Sequence, residues 1–178
     1  MSPPNLSLGE PITGLLRQSI GNDRWPIWLK METQQPTGSF KDRGARFLVD
    51  QLQQADIHEV VEDSSGNAAV SLCAYGAAAK IRCHVYVPAS ASPGKLRQMK
   101  AYGALIHPIS GPRDRAAAAV KDAAKTIYYA SHVYNPLFFT GVSTMADEIL
   151  AQLGEAPKTM IVPVGNGTLL LGLYQGFR

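Results

Sequence analysis

His58-Glu59-Val60-Val61-Glu62, followed by Asp63-Ser64-Ser65-Gly66-Asn67, an alanine-rich stretch to Ala79, and then Ile81-Arg82-Cys83-His84-Val85-Tyr86-Val87, is the part of this chain that decides its fold class. The two flanking runs are rich in β-branched and aromatic residues and predict strands. The stretch from Gly66 to Ala79 predicts a helix. The same alternation continues on both sides. Toward the C-terminus, Pro93 to Tyr102 predicts a helix with Lys95, Arg97 and Lys100 outward, and Leu105-Ile106-His107 predicts a strand. Arg113 to Lys125 predicts a helix, Thr126 to Ala130 a short strand, and the residues after Asn135-Pro136 a helix to about Leu153. Met160-Ile161-Val162-Pro163-Val164 predicts a strand that runs into Gly165-Asn166-Gly167, with a last helix over Thr168 to Phe177. Toward the N-terminus, Phe47, Leu48 and Leu52 stand at helical spacing within Phe40 to Gln54, and Ile27 to Met31 predicts a strand. Residues 1–24 are rich in Pro, Gly, Ser and Asn and predict an irregular arm with turns at Pro3-Pro4 and Gly21-Asn22.

Strands alternating with helices of ten to fifteen residues imply an α/β fold with mainly parallel sheets. Residues 55–154 hold several strand–helix pairs, enough for a small three-layer, mobile α/β domain of their own. The flanks, 1–54 with its N-terminal arm and 155–178, then belong to a second, larger unit. That unit counts only two strands, too few for a covered parallel sheet, so the chain reads as C-terminally truncated, with the large domain partial.

The 178 residues are 46% hydrophobic and 17% charged, a globular composition. The net charge of +3 comes from scattered cations without a basic run, which argues against a nucleic-acid partner. No apolar stretch approaches the length of a membrane span or a signal peptide. Cys73 and Cys83 lie in apolar surroundings outside any C-x-x-C spacing, and read as buried reduced thiols of a cytoplasmic protein. No metal site is expected.

Three places could carry chemistry. Lys41 follows Pro36-Thr37-Gly38-Ser39-Phe40 and opens a helix, where the partial positive charge of the helix end and an approaching cofactor both favour its neutral, nucleophilic amine. Ser64-Ser65-Gly66-Asn67 and Gly165-Asn166-Gly167-Thr168 each join a strand to a helix, where free N–H groups make anion sites. The first suits a carboxylate and the second a phosphate. Each also has an ordinary explanation: a surface lysine, a helix N-cap, a tight left-handed turn. Together, an amine, a carboxylate site and a phosphate site are what an aldehyde-bearing phosphate cofactor and an amino-acid substrate require. A nucleotide-binding Rossmann protein fits poorly, since no G-x-G-x-x-G follows the first strand.

The stretch Lys30-Met31-Glu32 with Pro36 to Gly44 resembles the cofactor-lysine motif of the threonine synthase group. That group belongs to the fold type II pyridoxal-phosphate enzymes, built like the tryptophan synthase β-subunit. Ser64-Ser65-Gly66-Asn67-Ala68, Pro93-Gly94-Lys95 with Tyr102-Gly103-Ala104, and Val162-Pro163-Val164-Gly165-Asn166-Gly167 resemble the group's next characteristic segments, in order over residues 26–178. The resemblance implies pyridoxal 5'-phosphate as cofactor, held as a Schiff base by Lys41, with Phe40 packed beside its ring. It implies that Asn67 bonds the 3-hydroxyl, that Ser64, Ser65 and Gly66 (with Asn67) bind the substrate carboxylate, and that Gly165, Asn166, Gly167 and Thr168 hold the phosphate. It further implies a cytoplasmic homodimer acting on a small amino acid, by elimination or replacement at the β or γ carbon. One residue departs from the group. In Asn135-Pro136-Leu137-Phe138-Phe139-Thr140-Gly141, Phe138 stands where many threonine synthases have a phosphate-binding arginine. An apolar ring cannot pair with phosphate. That argues against O-phosphohomoserine and toward an ammonia-lyase or a β-replacement enzyme on another amino acid. A catalytically silent remnant or interaction module is the reading from outside the enzyme class.

Overall fold

The computed structural model describes residues 4–21 and 25–178. Its central sheet has four strands in the order β5-β4-β3-β6, all parallel: β3 (Glu59–Glu62), β4 (Arg82–Pro88), β5 (Leu105–Ile109) and β6 (Tyr128–Tyr129). Along β4, Cys83, Val85 and Val87 are buried while the residues between them are more exposed, so period-two alternation decides which face meets the core. Helix α2 (Asn67–Ala78) packs on the Cys83 face, where Gly76 lets the helix backbone approach the Cys83 sulfur. The free thiols of Cys73 and Cys83 both lie in that core. Helix α3 (Pro93–Ala101) packs beside α2 and β5. Helix α4 (Arg113–Ala123) lies along β3, β4 and β5 and buries Ala116 and Val120 outside that core. Helix–sheet–helix layering of this kind is what the strand–helix alternation implied.

Helix α1 (Lys41–Gln54) packs on α2, and on α5 (Pro136–Leu153), which packs in turn on α6 (Thr168–Gly176). Glycines set these crossings. A side chain at Gly141 would strike the Arg43 carbonyl and the Gly44 Cα, and one at Gly176 would strike the Ser143 carbonyl. Backbone cannot step aside as a flexible side-chain tip can, so only glycine fits. Through these contacts α5 ties the stretch 55–154 to its flanks.

Two expectations are corrected. Leu15–Ile20, placed in the irregular arm, forms strand β1. It pairs antiparallel with β2 (Trp25–Lys30), from Leu15 opposite Lys30 to Ile20 opposite Trp25. Local composition hid the strand because its hydrogen bonds come from a partner. Gly21 does turn, at φ +73°, while Pro3 and Asn22 lie outside the described residues. Conversely, Met160–Val164 is not a strand, and Ile161 is 92% exposed. A strand persists only when a neighbour satisfies its backbone groups, and none pairs with this segment among the described residues.

The ribbon is held to the helices by a buried ion cluster. Arg43 on α1, whose side chain is 5% exposed, bonds both oxygens of Glu32 (2.7 and 2.8 Å) and both oxygens of Glu148 on α5 (2.7 and 2.8 Å). Lys30 of β2 reaches Glu148 Oε2 at 2.6 Å and the Thr13 carbonyl at 2.8 Å. Burial alone would raise the Glu148 carboxyl, but hydrogen bonds from Arg43 and Lys30 outweigh it and hold the group below the usual range. No helix among the described residues is long and apolar enough to cross a membrane.

Candidate active site

The loop before α1 is pinned from below. Gly38, at φ +85°, turns the chain. The fully buried Asp42 carboxylate then accepts from the Thr37 N–H (2.7 Å), the Thr37 hydroxyl (2.5 Å) and the Ser71 hydroxyl of α2. These bonds fix the entry to α1 and fasten it to the first turns of α2. Lys41 is therefore held as the first residue of α1, beside the start of α2.

Its Nζ lies 4.7 Å from the centre of the Phe40 ring and 5.7 Å from that of Phe138, and makes no hydrogen bond among the described residues. Burial pushes the amine down to about 8, against the opposing pull of Glu62. The N-terminal end of the helix dipole works in the same direction as burial. Phe138 is itself buried, packed against Gly44 where no side chain would fit.

Glu62 ends β3, two residues before Ser64. It is 1% exposed, and its Oε1 lies 2.6 Å from His132 Nδ1, whose ring meets the Phe138 ring edge-on at 6.2 Å. The other carboxylate oxygen has no partner among the described residues. Burial raises the Glu62 carboxyl, with His132 opposing.

In the Ser64–Asn67 loop, Gly66 caps α2 and no side chain caps the helix's first turn. The Ser64 hydroxyl accepts instead from the Gly66 N–H at 3.2 Å. Simple capping is thus not what these serines do, and the first-turn N–H groups of α2 have no side-chain acceptor. At Gly66, and also at Gly165, the position a Cβ would occupy is open space. At the other loop, Gly167 caps α6 at φ +88°. The Thr168 hydroxyl is buried between the His132 carbonyl (3.1 Å) and Asn166 Oδ1 (2.8 Å), and Asn166 Oδ1 also accepts the Thr168 N–H at 3.3 Å. Thr168 therefore closes its own loop.

The structure thus joins Lys41, Phe40, Phe138, Glu62, His132 and Thr168 through direct contacts. Ser64 to Asn67 and Gly165 to Asn166 make no hydrogen bond with Lys41 and connect to it through Glu62 and His132. Neither Glu62 nor His132 was singled out from sequence. The one available signal was a second carboxylate closing β3 directly after Val60-Val61. Among the described residues, no group of three or more His, Cys, Asp or Glu is placed to hold a metal ion.

Comparison with known proteins gives a consistent picture. The family model for pyridoxal-phosphate dependent enzymes matches residues 8–178. The threonine synthase of Halalkalibacterium halodurans is 35% identical over 179 aligned positions, covering 98% of this chain and 51% of that protein. That of Methanocaldococcus jannaschii is 37% identical over 155 positions, covering 85% of this chain and 38% of that protein. The chain spans about half the length, or less, of these curated relatives. Among solved structures, a hydrogen sulfide-producing enzyme from Fusobacterium nucleatum superposes with a TM-score of 0.85 at 23% identity, over 97% of this chain and 55% of that one. A pyridoxal 5'-phosphate-dependent aspartate racemase superposes with a TM-score of 0.84 at 26% identity, over 92% and 52%.

Proposed function

The chain belongs to the pyridoxal-phosphate-dependent enzyme family, and from that premise we propose that it serves a threonine synthase-like lyase. The reaction is elimination or replacement at the β or γ carbon of a small amino acid. The observation that carries this reading is the Lys41 amine: half-buried, without a hydrogen bond among the described residues, and lowered to about 8 at the start of a helix. The residues present fit the cofactor. An amine lowered to about 8 suits its aldehyde, and helix N-termini with open space at Gly66 and Gly165 suit anions.

When bound, pyridoxal phosphate supplies a ring that accepts electron density from the amino acid's α-carbon. Lys41 attaches the cofactor through Nζ, and the same Nζ afterwards takes and returns the proton at the α-carbon. Phe40 and Phe138 flank the amine and keep water from it. Ser64, Ser65, Gly66 and Asn67 orient the substrate carboxylate, and Asn67 also bonds the cofactor's 3-hydroxyl. Gly165, Asn166 and Gly167 hold the phosphate through backbone N–H groups, while Thr168 keeps that loop closed from behind. Residues 55–154 act as the smaller domain, with 1–54 and 155–178 on the larger one.

Phe138 favours a second reading of the substrate. Its buried ring offers no charge to a phosphate, so an ammonia-lyase or β-replacement reaction on an unphosphorylated amino acid fits better than O-phosphohomoserine. The protein is further proposed to be a cytoplasmic homodimer. Trp25, Trp28 and Ile20 of the β1–β2 ribbon are exposed and apolar. A sedimentation experiment should show mass rising with concentration, and a monomer at every concentration rejects the dimer.

Incubation with pyridoxal phosphate followed by borohydride should leave the reduced adduct on Lys41, identified by peptide mass. The capture rate should rise with pH and level off above about 8, because below that value the amine is protonated and cannot attack. A protein that stays colourless, or carries its label on another lysine, rejects this reading and favours a silent binding or interaction module.

A further inference from the structure

Behind the Phe138 ring that faces Lys41 lies a buried carboxylate–imidazole pair that no step of the proposed chemistry employs. Glu62 and His132 are 1% and 6% exposed and joined at 2.6 Å. A buried carboxylate ordinarily has every lone pair engaged, yet Glu62 Oε2 has no partner among the described residues. The pair also sits at a structural junction. Glu62 immediately precedes the Asp63–Asn67 loop. The His132 carbonyl receives the Thr168 hydroxyl, and the His132 ring meets the Phe138 ring, which faces Lys41. Three segments around the amine, at the ends of β3 and β6 and the start of α6, therefore meet at this one pair.

We propose that Glu62 and His132 are positioning residues for Lys41: a buried dyad that holds the loops around the amine and sets, through the charge on Glu62, how readily the amine gives up its proton. This rests on Lys41 as the attachment point. As a carboxylate Glu62 favours an ammonium at Nζ, whereas as a neutral acid it does not, and the hydrogen bond to His132 Nδ1 favours the charged form against burial. The charged and titratable groups facing the dyad from neighbouring elements are Lys41 on α1, Cys73 on α2, and Asp63 after β3, whose carboxylate accepts from Tyr129 of β6 at 2.7 Å. None of them is a second counter-charge bonded to Lys41. A dyad built only to brace the loops would work equally well with an uncharged glutamine at position 62, and this distinguishes the two roles.

The test measures Lys41 alone, without cofactor. Trace labelling with acetic anhydride across pH, read by peptide mass, gives the midpoint at which Nζ becomes reactive. In Glu62→Gln the midpoint should fall by about one pH unit, the size expected for removing one nearby opposite charge. In His132→Asn the buried carboxylate loses the partner that favours its charged form and takes up a proton more readily, so the midpoint should move the same way. Combining the two should add little beyond Glu62→Gln, because the charge is then already gone. Equal midpoints in wild type and Glu62→Gln, or a rise, overturn the proposal whatever happens to thermal stability. If Glu62→Gln does not fold, His132→Asn decides by the same criterion. If neither folds, the pair is purely structural and the proposal fails. Labelling needs no bound cofactor, so failure of cofactor capture by the wild-type chain would reject the proposed function and leave this measurement intact.

Discussion

Lys41→Met should abolish covalent cofactor capture: no visible absorbance after incubation with pyridoxal phosphate, and no borohydride-fixed label at position 41. Methionine keeps an unbranched chain between Phe40 and Phe138 and removes only the nucleophile. Loss of capture is then not loss of fold, and the sign of the stability change checks this. The Lys41 amine is depressed from 10.5 to about 8 in the folded chain. A group with a lowered folded value contributes stability above its unfolded value, and loses that stability as pH falls through the folded one. Between pH 6 and 8 the wild-type chain therefore carries a penalty for a half-buried ammonium that the methionine variant does not. Thermal melting at pH 7 should show the variant at least as stable as wild type, with the difference shrinking toward pH 10. A variant that still captures the aldehyde at position-specific, borohydride-fixable yield would place the attachment on another lysine.

Arg43→Leu should lower the stability of the fold by about 3–5 kcal/mol, the range for removing one partner of a buried ion pair. The arginine bonds both Glu32 and Glu148 through both of their oxygens, and it also donates to Thr13 Oγ1 at 3.2 Å. Leucine leaves two half-buried carboxylates side by side, with Lys30 alone to neutralise Glu148. For a domain whose total stability is on the order of 5–15 kcal/mol, that is a large share. Urea unfolding at pH 7 measures it. Arg43→Lys should recover part of the loss, since one ammonium restores charge without the planar fork. The pH dependence has a defined direction. Because Glu148 is held below its ordinary value, its contribution is present above the unfolded carboxylate range and lost as pH falls through the folded value. Wild type and Arg43→Leu should therefore converge in acid. Equal urea midpoints at pH 7 would remove the cluster from the account of this fold.

The same cluster explains why the site is placed as it is. Arg43 lies two residues after Lys41, on the same first turns of α1. Its bonds to α5 and to the segment after β2 prevent that turn from rotating. Asp42 does the same toward α2, through Ser71. Lys41, Asp42 and Arg43 thus face three different partners from one stretch of helix. Only the middle and last of them serve the scaffold, leaving the first free for chemistry.

Much of this was legible in the chain itself. The α/β alternation from Glu59 onward, the helix opened by Lys41 and the two strand-to-helix or loop-to-helix turns at Gly66 and Gly167 rest on local patterns that neighbouring residues enforce. Tertiary structure decided what depends on distant partners. Leu15–Ile20 is a strand because Trp25–Lys30 pairs with it, and Met160–Val164 is not one because none of the described residues does, although its composition is the more strand-like of the two. Glu62 and His132 stand seventy positions apart, and no local rule joins a carboxylate at one strand end to an imidazole after another. The sequence determined which residues could carry the chemistry, because reactive groups and backbone turns are local properties. Burial and pairing, which set the Lys41 amine near 8 and left one oxygen of Glu62 without a partner among the described residues, arise only when the chain closes, because desolvation and ion pairing are set by what packs around a group.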